Sequence, residues 1–95
     1  MAKLTQEQIT EKLSEHPDWA QNGDTLQRTL RFDDFLGAMA FVNRVAELAE
    51  EQQHHPDILI RYNKVTLTMS THDAGGITEK DFALVKSTDE CVAMA

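Results

Sequence analysis

The spacing of apolar residues changes once in the middle of this chain, and the change falls at His54-His55-Pro56. Before it, Phe35, Ala38, Met39, Val42, Val45, Ala46 and Ala49 recur at i, i+3 and i+4, and Phe41 and Leu48 widen the stripe. That period belongs to a helix with one buried face. After it, Ile58, Ile60 and Tyr62, then Val65, Leu67 and Met69, alternate with other residues, the period of a half-buried strand. Asp33-Asp34 offers N-cap oxygens to the helix. Its end is expected near Gln53, because the residue before Pro56 resists the α region. Asn63-Lys64, between the two alternating runs, predicts a hairpin turn.

The same signals organise the rest of the chain. Thr5-Gln6-Glu7-Gln8 reads as a capping box, with Leu4 and Ile9 placed as a hydrophobic staple. Ile9 and Leu13 mark a short helix that stops before Pro17. Trp19 to Phe32 reads as a first hairpin turning at Asn22-Gly23, with Leu26, Arg28, Leu30 and Phe32 alternating against Thr25, Gln27, Thr29 and Arg31. Gly75-Gly76 breaks a loop over residues 71–76, and Thr78-Glu79-Lys80-Asp81 caps a last helix carrying Phe82, Val85 and Val92. The order α-β-β-α-β-β-α predicts an α+β fold, a four-stranded antiparallel sheet with three helices packed on one face. Residues 1–95 are expected to form a single domain. The Met and aromatic stripe of the long helix reads as core. A chain of this size buries roughly 60–65% of its unfolded surface, so self-association could usefully cover what remains.

Charge narrows the partners. Sixteen acidic against nine basic residues give a formal net charge of −7. That balance argues against nucleic acid and against an anionic membrane surface as binding partners. Cys91 is the only cysteine, which excludes an intrachain disulfide and a Cys-based metal framework; it reads as a small packed residue of the last helix. No run approaches the ~18 apolar residues of a membrane span. Met1-Ala2-Lys3-Leu4-Thr5 turns polar at once, without the apolar stretch of a signal peptide. The expected compartment is the cytoplasm.

Three of the four histidines fall where chemistry could use them. His54 and His55 stand at the join between helix and strand, and His72 where the partner strand ends. If Asn63-Lys64 form a two-residue turn, residues whose numbers sum to 127 face each other, which sets Ile60 opposite Leu67, Ile58 opposite Met69 and His55 opposite His72. A register one residue shorter pairs His54 with His72 instead. Glu50 precedes His54 by four positions, so on a helix reaching that far it would share a face with His54 and could orient its ring. Histidine titrates near 6.5 when unperturbed, which suits one ring as acid and another as base at neutral pH. No serine stands in a strained nucleophile elbow, and Cys91 is distant in sequence. Two plainer roles are open to the cluster: capping the carbonyls at a helix end, or ligating zinc through His54 or His55 with His72 and Glu50. Neighbouring residues on an extended strand point to opposite faces, which makes His54 and His55 a poor chelating pair. His16, beside Pro17, reads as a solvated terminal residue.

With these residues in view, the chain resembles the pterin-4a-carbinolamine dehydratases. The signature reads Glu50-x-x-x-His54-His55-Pro56, then Tyr62, His72 and Asp81, all at the family's spacing. Trp19, Phe32-Asp33-Asp34-Phe35, Tyr62-Asn63-Lys64-Val65, Thr71-His72 and Gly76-Ile77-Thr78 also look like the family, so the match covers nearly the whole chain. The resemblance implies dehydration of 4a-hydroxytetrahydrobiopterin to quinonoid dihydrobiopterin, a reaction that needs an acid and a base and neither metal nor other cofactor. It implies catalytic roles for His54, His55, His72 and Glu50. His54 and His72 would be the acid/base pair, His55 would position the pterin, and Glu50 would support them. It further implies that His54, His55 and Pro56, with Thr71, His72, Asp73 and Ala74, line the substrate. A homodimer or homotetramer is implied, as is a functional link to an aromatic amino-acid hydroxylase whose cofactor is regenerated. The pattern departs at Ile58, where members carry a Trp, and at Lys80, where an Arg is often found; both read as tuning of the pocket. A non-catalytic dimerisation or scaffold module that kept the fold is the alternative, though such a module has no reason to need all three histidines at one hairpin end.

Overall fold

A computed structural model describes residues 2–94. Thr5 and Gln8 form the expected capping box ahead of α1 (Gln6–Leu13), which buries Ile9. β1 (Ala20–Asn22) and β2 (Thr25–Arg31) form the first hairpin. Its turn falls one residue later than Asn22-Gly23, because Asn22 still pairs with Thr25 and Gly23 takes the left-handed φ of 60°. Asp34 Oδ1 accepts from Gly37 N at 2.8 Å and starts α2 (Phe35–Gln52). The buried seam of α2 is Ala38, Phe41, Val45 and Ala49, so Phe41 belongs to its centre, whereas Phe35 and Ala46 face out. β3 (Asp57–Arg61) and β4 (Lys64–Met69) follow, then the 3₁₀ turn at His72–Ala74, and α3 (Glu79–Ala93) closes the order.

The sheet order is β1-β2-β4-β3, antiparallel throughout, with helices on one face only. Leu26 and Leu30 of β2 and Val65, Leu67 and Met69 of β4 bury against Ile77, Phe82, Leu84 and Val85 and the α2 seam. On the opposite face Thr29 is hydrogen-bonded to Thr66 at 2.8 Å and Gln27 to Thr68 at 3.2 Å, with Leu59 of β3 an exposed apolar residue beside them. Arg28 shares the helix-facing side of β2 with two leucines, and Asp89 of α3 explains how. Asp89 accepts from Arg28 at 2.8 Å and from Trp19 Nε1 at 2.7 Å, and pairs with His16 Nδ1 at 2.8 Å. His16 is therefore half-buried and bonded, not the solvated residue its place beside Pro17 suggests.

The second hairpin departs from its expected register. Ile60 pairs with Val65 and Ile58 with Leu67, so the two turn residues are Tyr62-Asn63, with Tyr62 at φ 50°. Asn63 fixes this turn to the end of β2: its Nδ2 donates to Phe32 O at 2.9 Å, and its carbonyl accepts from Phe32 N at 2.8 Å. The strands have slid by two residues relative to the expectation, and a slide of two keeps every side chain on its face. Alternation alone is blind to that difference. Neither His55 nor His54 lies opposite His72 in consequence.

Candidate active site

Two backbone reversals bring the histidines together despite the shifted register. At the end of α2, Gln53 adopts the left-handed conformation at φ 53°, and His54 N closes the helix by donating to Ala49 O at 3.0 Å. A non-glycine residue there costs about 1–2 kcal/mol, and the helix ends where that reversal sets in. At the end of β4, Thr71 bridges to Gly76, and between them the 3₁₀ turn carries His72. Residues of both reversals line one cleft with Lys80, in the first turn of α3. His54, His55, Thr71 and His72 line one open cleft of about 230 Å³, with Gln53, Ser70, Asp73 and Lys80 around its rim. A larger hollow of about 520 Å³ lies between Lys3, Gln6, Gln21 and Asp24, but no histidine or cysteine lines it. The smaller cleft is the one that brings three histidines together, whereas a hollow of about 410 Å³ beside α1 and α3 holds His16 alone.

The two adjacent imidazoles meet different partners. His54 Nε2 lies 2.6 Å from Asp81 Oδ1, and the two side chains are 11% and 0% exposed. Asp81 Oδ2 accepts from Thr71 Oγ1 at 2.8 Å and from Thr78 N at 2.9 Å. An ionised carboxylate only accepts, so in this contact Nε2 is the donor, and in a neutral ring Nδ1 is then the acceptor nitrogen. Among the described residues, Nδ1 has no hydrogen-bond partner. His55 Nε2 instead pairs with Glu50 Oε2 at 2.5 Å, with side chains 59% and 71% exposed. This corrects the expected Glu50–His54 pairing. The i,i+4 geometry requires a helix through His54, and the reversal at Gln53 ends it first.

His72 and Asp73 are exposed and line the cleft, whereas Ala74 is half-buried and is not among its lining residues. Pro56 is half-buried at the start of β3. Of the two positions that depart from the family pattern, Lys80 borders the cleft, whereas Ile58 sits on the helix-facing side of edge strand β3. The partner role of Asp81 was hidden behind its sequence role. Thr78 and Asp81 do form the expected capping box, but a capping carboxylate has a second oxygen, and here it holds His54. Among the described residues, no group of three or more His, Cys, Asp or Glu side chains is arranged to hold a metal ion.

An α+β domain that gathers three imidazoles and a buried carboxylate at one cleft has the parts of a general acid/base site. The family model for pterin 4 alpha carbinolamine dehydratase matches residues 2–91. A Thermomicrobium roseum protein provisionally named pterin-4-alpha-carbinolamine dehydratase is 58% identical over 90 residues, covering 95% of this chain and 97% of its own. A Chloroflexus aggregans protein of the same provisional name is 54% identical over 91 residues, again covering 95% and 97%. The crystal structure of a transcriptional coactivator/pterin dehydratase from Brucella melitensis superposes with a TM-score of 0.89 at 30% identity, covering 93% of this chain and 96% of that one. A pterin dehydratase-like protein identified as a RuBisCO assembly factor in the alpha-carboxysome matches with a TM-score of 0.64 at 25% identity, covering 77% and 87%. The chain belongs to the pterin-4-alpha-carbinolamine dehydratase family, a family of lyases.

Proposed function

We propose that this protein, acting as a single 95-residue domain, dehydrates 4a-hydroxytetrahydrobiopterin to quinonoid dihydrobiopterin. The observation that carries the reading is the His54–Asp81 pair, a buried carboxylate spent on orienting one ring at an open cleft. Burying a carboxylate is costly unless it is paired, and nothing in a purely structural role requires this pair to open on a cleft. His54 Nδ1 takes the proton from a pterin ring nitrogen. Protonated His72 gives a proton to the C4a hydroxyl, which leaves as water while the carbon–nitrogen double bond forms. Exchange with solvent restores both rings. His55, held by Glu50, orients the pterin together with Pro56, Asp73 and Ala74. This scheme calls on neither metal nor cofactor, and the names of the relatives support its substrate class. On this reading the protein works in the cytoplasm and regenerates the cofactor of an aromatic amino-acid hydroxylase. No helix among the described residues is long and apolar enough to cross a membrane.

The test is the rate of 4a-carbinolamine breakdown with and without the protein. Acceleration is expected, and His54→Ala or His72→Ala should cut it by about 10²–10⁴ with folding intact. No acceleration by wild type would favour a scaffold role, and activity lost to a chelator together with stoichiometric zinc would favour a metal enzyme.

The reading includes a homo-oligomer. β3 is an edge strand with an unpaired side, and Leu59 at its centre is 58% exposed. Its sequence Asp57-Ile58-Leu59-Ile60-Arg61 is self-complementary. Antiparallel pairing of two copies about Leu59 sets each Asp57 opposite the other copy's Arg61, a favourable cross-strand pair. Leu59→Lys should shift the mass measured by light scattering toward the monomer; an unchanged mass excludes this edge as the interface.

A further inference from the structure

The hydrogen bonds around Asp81 run in one direction. Thr71 Oγ1 donates its only proton to Asp81 Oδ2 at 2.8 Å. In the 2.8 Å contact between Thr71 and Thr78, the donor is therefore Thr78. Thr78 Oγ1 in turn accepts from the backbone N–H of Lys80 at 3.2 Å. The chain starts at the first turn of α3 and ends on the carboxylate that holds His54. Thr71 is also tied through its backbone to the loop that carries His72. Its N–H donates to Gly76 O at 2.9 Å, and its carbonyl accepts from Ala74 N at 3.1 Å and Gly76 N at 3.3 Å.

Thr71 thus joins the two walls of the cleft, the backbone fixing the His72 loop and the hydroxyl fixing the carboxylate behind His54. Its hydroxyl proton and one lone pair are already engaged within the protein. We infer that Thr71 is a positioning residue, whose hydroxyl holds the His54 ring relative to His72 by way of Asp81. The resemblance assigns it instead to the lining of the substrate. The difference is measurable, since a substrate contact shared by ground and transition states sets KM, whereas placement of a proton-transfer group sets kcat. The kinetic half of the inference rests on the dehydratase reading; the placement of the ring does not.

The experiment compares Thr71→Val, which keeps the shape and removes the hydroxyl, with Thr71→Ser, which keeps the hydroxyl. Two quantities are read: kcat and KM for carbinolamine breakdown, and the tautomer of His54 by nitrogen NMR of histidine-labelled protein. Thr71→Val should lower kcat by about tenfold or more with KM within about twofold, and should mix the His54 tautomers that wild type keeps as Nε2–H. Thr71→Ser should recover most of both losses. An unchanged His54 tautomer in Thr71→Val overturns the inference whatever the kinetics, and so does a raised KM at constant kcat. If Thr71→Val does not fold, Thr71→Ala is read by the same two measures. A wild-type protein without dehydratase activity defeats the reaction assigned to the site, and the tautomer comparison still decides the role of Thr71.

Discussion

Two carboxylate–imidazole pairs stand side by side at the end of α2, and nearly equal distances conceal opposite physics. Asp81–His54 is 2.6 Å long and almost wholly buried; Glu50–His55 is 2.5 Å long and more than half exposed. The buried carboxylate has three partners in fixed directions, and an ionised Asp81 holds its ring through an Nε2–H donor in one orientation. The exposed pair competes with water and salt, and pairs of that kind contribute about 0–1 kcal/mol. In the proposed mechanism one pair prepares a base, and the other gives the ring that positions the pterin a loose tether. Contact distance alone does not distinguish them; burial and the remaining partners of each carboxylate do.

The largest effect should come from cutting the buried pair. Asp81→Ala leaves Thr71 Oγ1, Thr78 N and His54 Nε2 without their acceptor and should cost about 3 kcal/mol of stability, read as a lower midpoint in urea. Asp81→Asn keeps the volume but presents an amide where an anion stood, and should lower kcat by about tenfold to a hundredfold. A third carboxylate sharpens the comparison. Asp89 also holds a histidine, His16, together with Trp19 and Arg28, but no cleft opens there on three imidazoles. Asp89→Ala should destabilise by about 2 kcal/mol while kcat at a temperature where the variant is folded stays near that of wild type. The smallest effect belongs to the exposed pair. Glu50→Gln should change stability by no more than about 0.5 kcal/mol, and 1 M salt should reproduce most of that change in wild type.

The same contrast explains what could be read from the residues. Helices, strands and their order were legible because each rests on a local signal: the Thr5 and Thr78 capping boxes, the Asp34 cap, the period change at Pro56. The gathering of His54, His55 and His72 was legible too, since all three flank one hairpin. The register of that hairpin was not, because Asn63 binds Phe32 of a strand distant in sequence, and a slide of two residues leaves the alternation intact. The Glu50–His54 pairing required a helix reaching His54; α2 ends at Gln52, near the end that Pro56 announced, and the left-handed turn at Gln53 sets His55 rather than His54 against Glu50. The link from Asp81 to His54 spans 27 positions and joins two helix ends, a contact set by packing rather than by spacing.

The central claim is that the buried pair, and not the exposed one, prepares this protein to dehydrate a pterin carbinolamine. The most direct measurement is the rate of 4a-carbinolamine breakdown by wild type, Asp81→Asn and Glu50→Gln, side by side and at equal folded concentration. The account predicts acceleration by wild type, a loss of about tenfold or more in Asp81→Asn, and a loss of about threefold or less in Glu50→Gln. Equal losses in the two variants, or no acceleration by wild type, would contradict it.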